Sequence, residues 1–174
     1  MAELEAEIAR LIREYQAKTG KYLTIGTVES ATGGRIADRI TNVPGSSDYF
    51  KGSVVAYSNE VKTAVVGVKK ATIEKHGAVS EQTALEMARG GRKLLNVDIC
   101  VSDTGIAGPS GGSEEKSVGL FYLGLASEGE TLTQKHIFPG DRGENKRDAA
   151  EAALNMLKHY LLRRLSATDC GARL

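Results

Sequence analysis

Segments with the apolar spacing of a helix alternate along this chain with short β-branched runs, and this alternation constrains the fold most strongly. Three such runs predict strands: residues 22–28 (YLTIGTV), which suggest a buried strand, and residues 52–57 (GSVVAY) and 97–104 (VDICVSDT). The pattern predicts a helix over residues 3–18, before the first run, and further helices between the runs, over residues 33–41, from Asn59 and after Ser80. Strands that alternate with helices usually form a parallel sheet covered by helices.

The last third of the chain departs from this alternation. Residues 118–126 and 131–138 predict a hairpin around Glu128-Gly129-Glu130, and a long final helix follows with a stripe of Ala150, Ala153, Leu154, Leu157 and Leu161. A hairpin is antiparallel, so the sheet is expected to be mixed. The sequence therefore predicts an α/β fold, a three-layer α/β/α sandwich with a mixed β-sheet. It forms a single domain over residues 1–165, and residues 166–174 are expected to be a flexible tail.

Length, charge and cysteine spacing argue against several classes of function. The chain has 174 residues and a formal net charge of +1, with no visible basic stripe of the kind that nucleic-acid binders use. No apolar run approaches the roughly 20 residues that span a bilayer, and the N-terminus has no apolar signal-peptide core. Cys100 and Cys170 lack metal-ligand spacing. We expect a cytoplasmic protein that uses no membrane, nucleic acid, metal or cofactor.

The stretch ESATGG, residues 29–34, places Ser30 between a predicted strand and a predicted helix. The backbone N–H groups of residues 31–34 would start that helix, and unpaired N–H groups favour an anion or a developing oxyanion. Ser30 is thus a candidate nucleophile. The alternative is that Ser30 or Thr32 simply caps the helix.

The stretch AYSNEVK places Lys62 at the start of a helix, as its third residue if Asn59 is the N-cap. The positive end of the helix disfavours an ammonium there, and burial would lower the pKa of Lys62 as well. A neutral amine is what a lysine general base requires. The alternative is an exposed lysine on a solvated face.

Two further loops are candidates for ligand binding. The stretch DTGIAGPSGGSEEK matches neither a phosphate-binding P-loop nor a dinucleotide motif, yet its amides suit an anion nest; the alternative is a flexible connection. The stretch GDRGENKR places Arg142 and Arg147 near a helix start, where two guanidinium groups would hold a phosphate. The alternative is a pair of surface arginines.

The three histidines, His76, His136 and His159, fit structural or solvated positions better than a catalytic triad.

Five stretches occur in the order and at the distances of one known family: ESATGG, VPGSSDYFKGSVVAYSNEVK, GAVSEQTALEMA, DTGIAGPSGGSEEKSVG and FPGDRGENKR. Together they resemble the CinA C-terminal domain, a competence/damage-inducible family that includes stand-alone nicotinamide-nucleotide amidases of the PncC type. The resemblance runs from about Ile8 to Leu162. One departure is Ala31, where many relatives have a cysteine.

The resemblance implies an amidohydrolase that converts nicotinamide mononucleotide to nicotinate mononucleotide and ammonia without a metal. It assigns Ser30 as the nucleophile, Lys62 as the base and Tyr57 as a hydroxyl that aids proton transfer or positioning. It also implies substrate contacts, for which the candidates are Thr32, Gly33, Gly34, Thr104, Gly105, Arg142 and Arg147. The family further implies a homo-oligomer.

Two other functions remain open at this stage. The domain could be a non-catalytic nucleotide-binding or partner-binding module in competence or DNA-damage responses, which would need no unusual lysine. It could also be an amidase or esterase for another small substrate.

Overall fold

The computed structural model describes residues 3–171 of the chain, and side chains through residue 168. The helices are α1 (Leu4–Thr19), α2 (Arg35–Thr41), α3 (Asn59–Ala64), α4 (Lys70–His76), α5 (Glu81–Leu95) and α6 (Arg142–Gly171). The strands are β1 (Ile25–Glu29), β2 (Phe50–Val55), β3 (Ile99–Gly105), β4 (Leu120–Ala126) and β5 (Thr131–Ile137), and a 3₁₀ turn covers Ser46–Asp48.

The five strands of the described chain form one mixed sheet in the order β2-β1-β3-β4-β5. Strand β1 is parallel to both β2 and β3, whereas β3, β4 and β5 are antiparallel in turn. The chain therefore leaves β1 toward one side to form β2 and returns to the other side to form β3. Ligands of open α/β sheets bind at such a reversal, beside the carboxyl ends of the strands.

Helices cover both faces of the sheet, which confirms the predicted three-layer sandwich. Helices α1, α2 and α6 enclose the larger core on one face, and all five residues of the predicted α6 stripe are buried there. Helix α5 covers the other face, where Met87 packs against Val28 and Cys100. No helix within residues 3–171 is both long enough and apolar enough to cross a membrane.

The element boundaries differ from expectation in ways that matter for the site. Helix α2 begins at Arg35 rather than residue 33, because Gly33 and Gly34 have φ angles of 65° and 97°, a left-handed conformation that a helix does not contain. Helix α3 is capped by Ser58, whose Oγ accepts from the Val61 amide, so Lys62 is the fourth helical residue rather than the third.

Two other differences concern elements away from the loops of interest. Helix α4 was not predicted; it is seven residues long and buries none of its side chains, so it leaves no apolar stripe in the sequence. Helix α6 continues to Gly171, through most of the segment that was expected to be a tail. The last part of that expected tail, residues 172–174, lies outside the described residues.

Candidate active site

The carboxyl ends of the parallel strands β1, β2 and β3 meet at one edge of the sheet, where a cavity of about 250 Å³ opens. Ser30 follows β1, Tyr57 follows β2, and Thr104 and Gly105 end β3. All four line this cavity, together with Lys62 of α3 and Arg142 of α6. The fold thus brings together residues that lie up to 112 positions apart in the chain.

A larger groove of about 860 Å³ lies elsewhere, among α1, α2 and α6. Its lining is mostly charged and contains no serine, threonine, cysteine or histidine. The groove therefore has no hydroxyl, thiol or imidazole group, whereas the smaller cavity contains a buried serine and a buried lysine. The smaller cavity is therefore the candidate active site.

Lys62 and Ser30 are in direct contact at the floor of the cavity. The Lys62 Nζ lies 2.9 Å from Ser30 Oγ, and it donates to the backbone carbonyl oxygens of Ala56 (2.8 Å) and Tyr57 (3.2 Å). Only 2% of Lys62 and 7% of Ser30 is exposed. The contact rules out the exposed-lysine alternative, and it places an amine within proton-transfer distance of a hydroxyl.

Burial lowers the pKa of Lys62 below its ordinary value, because an ammonium loses its hydration in the interior, while the nearby Asp103 carboxyl acts in the opposite direction. No carboxylate forms an ion pair with Lys62 among the described residues: the three hydrogen-bond partners of its Nζ are one hydroxyl and two carbonyls. The surroundings therefore favour the neutral amine more than an ordinary surface site would.

Two buried carboxyl groups hold the turn that carries Ser30. Asp103 of β3 accepts from the backbone N–H of Ser30 (2.9 Å) and of Thr32 (3.1 Å). Glu29 accepts from the N–H groups of Gly34 (2.8 Å), Ile36 (3.1 Å) and Ala37 (2.8 Å), and so caps the start of α2. Neither Ser30 nor Thr32 caps this helix, contrary to the alternative considered above.

These contacts reduce the number of backbone amides that are available to bind an oxyanion. The amides of Thr32 and Gly34 bind carboxylate oxygens, so they are not available to a substrate. The sequence suggested the four amides of residues 31–34 as donors to an oxyanion. Of these, the amides of Ala31 and Gly33 make no hydrogen bond to any residue in the range 3–171. Only Ala31 also lines the cavity. Its N–H, beside the Ser30 hydroxyl, is the available donor.

Tyr57 and Arg142 form the rim of the cavity. The Arg142 guanidinium donates to the Tyr57 hydroxyl (3.0 Å) and to the Gly108 carbonyl (2.7 Å). Tyr57 is 59% exposed, and its hydroxyl makes no hydrogen bond with Ser30 or Lys62. The geometry thus gives Tyr57 two positioning contacts, through its carbonyl to Lys62 and through its hydroxyl to Arg142, and no direct path for proton transfer.

The glycine-rich loop that follows β3 is pinned at several points. Thr104 Oγ1 donates to the Ala78 carbonyl (2.8 Å), and Asn145 Nδ2 donates to the Ala107 carbonyl (3.0 Å). Lys116 Nζ donates to the carbonyls of His76 and Val79, both at 2.7 Å. The loop is therefore a fixed wall of the cavity rather than the flexible connection considered as an alternative.

Four residues of the predicted substrate-binding set do not line the cavity: Thr32, Gly33, Gly34 and Arg147. Thr32 is fully buried between Glu29 and Asp103. The Arg147 side chain is exposed, with its guanidinium 3.9 Å from Asp148. The neighbouring Lys146 instead approaches the turn: its Nζ lies 3.2 Å from where a Cβ on Gly33 would stand.

Sequence reasoning missed the functional surroundings of the pair, namely Glu29, Asp103, Asn145 and Lys116. One signal was available for Asp103, because an acidic residue in an otherwise apolar strand must find buried hydrogen-bond donors. The histidines behaved as expected, since none of the three lines the cavity. No group of three or more His, Cys, Asp or Glu side chains in the described part of the chain is arranged to hold a metal ion.

Comparison with known proteins matches residues 3–161 to the family model of the CinA C-terminal domain. A CinA-like protein of Kosmotoga olearia is 50% identical over 159 residues, and a competence-damage inducible protein of Halothermothrix orenii is 45% identical over 181. Each match covers 91% of this chain. The chain spans only 37% and 44% of those two relatives, respectively.

Solved structures agree with these matches over nearly their whole length. A competence/damage inducible protein from Agrobacterium tumefaciens is 37% identical, with a TM-score of 0.81, over 88% of this chain and 93% of its own. A CinA superfamily protein from Klebsiella pneumoniae is 29% identical, with a TM-score of 0.85, over 92% and 96%. The chain belongs to the CinA C-terminal domain family.

Proposed function

We propose that the protein is an amidohydrolase that hydrolyses the carboxamide of nicotinamide mononucleotide, with Ser30 as the nucleophile and Lys62 as the general base. The observation that carries this proposal is the buried contact of 2.9 Å between Lys62 Nζ and Ser30 Oγ at the floor of a cavity. Serine–lysine pairs are a known variant of nucleophilic catalysis.

The partners of Lys62 suit both protonation states that such a base passes through. A neutral amine has two N–H groups, and the carbonyls of Ala56 and Tyr57 accept both. Its lone pair then faces Ser30 Oγ, ready to accept the hydroxyl proton. Once Lys62 is protonated, its third N–H has Ser30 Oγ as an acceptor. No side chain has to move between the two states.

The reaction follows from this arrangement in two halves. Lys62 takes the Ser30 proton as Oγ forms a bond to the carboxamide carbon, and the carbonyl oxygen becomes an oxyanion. The C–N bond then breaks, and the Lys62 ammonium gives its proton to the departing amide nitrogen, which leaves as ammonia. Water, deprotonated by Lys62, attacks the acyl-enzyme, and Ser30 recovers its proton as nicotinate mononucleotide departs.

The Ala31 amide is the proposed donor to the oxyanion. It is next to Ser30, lines the cavity and has no partner among the described residues. Loss of one such donor typically slows a reaction by about 10²- to 10³-fold. Because it is a backbone group, it does not depend on the identity of the side chain, which is consistent with alanine at a position where many relatives have cysteine.

The charges of the cavity are compatible with a nucleotide whose ring is cationic and whose phosphate is anionic. A pyridinium ring beside Lys62 would further disfavour the ammonium form of the base. At the rim, Arg142 uses two of its five N–H donors on Gly108 and Tyr57, and the others are available to a phosphate. We therefore place the carboxamide at Ser30 and the phosphate toward Arg142.

The direct test is ammonia release from nicotinamide mononucleotide by purified wild type, Ser30→Ala and Lys62→Met, each after treatment with a chelator. Wild type should turn over. Lys62→Met should lose activity by about 10²- to 10⁴-fold, the usual contribution of a catalytic base, and Ser30→Ala, which lacks the nucleophile, should lose at least as much. Lys158→Met, a lysine of α6 outside the cavity, is the matched control and should be as active as wild type.

Other outcomes point to the alternatives. Tight nucleotide binding without ammonia release by wild type would favour a non-catalytic binding module. Turnover of other small amides or esters in preference to the nucleotide would keep the Ser30–Lys62 pair but replace the substrate. Undiminished turnover by Ser30→Ala would refute the proposed nucleophile.

A further inference from the structure

The two carboxyl groups behind Ser30 share a single hydroxyl. Thr32 Oγ1 lies 2.7 Å from Glu29 Oε2 and also within hydrogen-bond distance of Asp103 Oδ1. All three residues are fully buried, with 0% exposure each. A threonine hydroxyl has one proton to donate. It cannot satisfy two ionised carboxylates, so one of the two carboxyls must itself donate a proton to Thr32.

Glu29 is the carboxyl that is built to be ionised. It accepts three backbone N–H groups from the start of α2, and such bonds stabilise a carboxylate strongly. The N-terminal end of the helix also favours a negative charge. The Thr32 proton is therefore best placed on the bond to Glu29, which leaves Thr32 Oγ1 as an acceptor toward Asp103.

Asp103 has the opposite surroundings. It accepts only two backbone N–H groups, from Ser30 and Thr32, and it makes no ion pair within residues 3–171. Burial and the charge of Glu29 raise the pKa of Asp103 to about 6. The charged groups that act on Asp103 from the neighbouring elements are Glu29 of β1 and Lys62 of α3. A second carboxylate beside Glu29 would be unfavourable.

We propose that Asp103 carries the proton of this buried pair and is a positioning residue, bonded through Thr32 to an ionised Glu29. In this form Asp103 still anchors the Ser30 turn through two amides. While Asp103 holds the proton, it places no negative charge near Lys62 and does not favour the ammonium form of that residue. The proposal concerns the same site as the proposed function but does not require that function for its test.

The test reads the protonation of Asp103 by infrared spectroscopy on protein labelled with [¹³C]aspartate. Wild type at pH 6 should show the C=O band of a protonated, buried carboxyl, and the band should be lost in Asp103→Asn. Asp98→Asn is the matched control and should keep the band, because bonds from Thr24 and Lys21 lower the pKa of Asp98. Absence of the band from wild type at pH 6 would overturn the proposal.

A second variant tests the link through Thr32. In Glu29→Gln the neighbouring charge is gone and the Thr32 proton is free to turn toward Asp103, so the pH at which the band disappears should move down. No downward shift in a folded Glu29→Gln protein would contradict the shared proton. Carboxyl ¹³C NMR of labelled wild type gives the titration of Asp103 even if a variant fails to fold.

Activity provides an independent readout if the protein turns over nicotinamide mononucleotide. Asparagine is neutral like protonated aspartate, and it loses about one hydrogen bond to the turn, so Asp103→Asn should reduce kcat measured at pH 6 by about tenfold or less. A loss as large as that of Lys62→Met would mean that a negative charge at position 103 is required, and would overturn the proposal. Absence of turnover in wild type would refute the proposed function and leave the infrared result unaffected.

Discussion

Lys62 combines burial with a proposed role that depends on its losing a proton. An ordinary lysine is protonated up to a pH near 10.5, whereas burial lowers the pKa of this one. The two carbonyls that accept from Nζ keep the amine satisfied without an ion pair, so its base form is available at a lower pH than that of a surface lysine.

The lowered pKa of Lys62 predicts how both the stability and the activity of the protein depend on pH. Since the folded pKa lies below the unfolded value, the unfolded chain binds more protons between the two values, and the free energy of unfolding rises with pH across that window. We expect the stability of wild type relative to Lys62→Met to increase from pH 7 to pH 10, measured by urea denaturation. Over the same range kcat/KM should rise and then level off.

A constant difference in unfolding free energy between wild type and Lys62→Met would contradict a lowered pKa at this position. So would a kcat/KM that keeps rising up to pH 10.5 without levelling, because the base would then titrate as an ordinary lysine.

The two arginines of the GDRGENKR stretch give a matched pair of variants. Arg142 lines the cavity, whereas Arg147 is exposed outside it. Arg142→Ala should raise the KM for nicotinamide mononucleotide by about 10- to 100-fold, the value of a hydrogen bond to a charged group. It should change the KM for nicotinamide riboside, which lacks the phosphate, much less. Arg147→Ala should leave both unchanged.

Equal effects of Arg142→Ala on the nucleotide and the riboside would mean that Arg142 acts by holding the loop at Gly108 rather than by binding phosphate. A large effect of Arg147→Ala would contradict the geometry of the site.

At the scale of elements, α5 packs unusually close to its neighbours because of two glycines. A Cβ on Gly90 would lie 1.9 Å from the Val66 carbonyl oxygen, and one on Gly91 would lie 2.2 Å from Val28 Cγ2. The backbone of Val66 belongs to the turn that follows α3, the helix that carries Lys62. The glycines therefore set the distance between α5 and the frame of the active site.

Gly90→Ala tests this packing, because close packing reverses the sign of its effect on the free energy of unfolding. In an open helix the change would stabilise by up to about 1 kcal/mol, but a clash with backbone should reverse this to a destabilisation of about 1–3 kcal/mol. Thermal or urea denaturation measures the change. Gly143→Ala in the first turn of α6 is the control, because its Cβ would meet only the Asp141 side chain, at 3.3 Å. A Gly90→Ala protein as stable as wild type would contradict the close packing.

Predictability from sequence also differs between elements. Helices α1 and α6 and all five strands were predicted. Apolar spacing is clearest where an element buries a continuous row of side chains, as α1, α6, β1, β3 and β4 do, whereas the edge strands β2 and β5 are only partly buried. Helix α4 did not, because it buries no side chain. The start of α2 was misplaced because the left-handed conformation of Gly33 and Gly34 depends on Glu29 reaching the amides beyond them, a contact that spacing does not reveal.

At the scale of the whole molecule, the topology assembles the site. Because β1 is parallel to strands on both sides, the ends of β1, β2 and β3 converge, and α6 returns from the far end of the chain to supply Arg142 and Asn145. The sequence located Ser30, Lys62 and Arg142 by their motifs. It did not locate the Glu29–Thr32–Asp103 cluster, because which side chains meet across strands depends on the strand order and on burial.

The most direct test of the account asks whether Ser30 becomes acylated. Wild type in excess over nicotinamide mononucleotide would be quenched with acid within the first turnover and analysed by mass spectrometry. We predict an adduct of nicotinate mononucleotide less one water on the peptide that contains Ser30, and none in Ser30→Ala. Ammonia release without any adduct on that peptide, together with an unchanged rate in Ser30→Ala, would contradict the account.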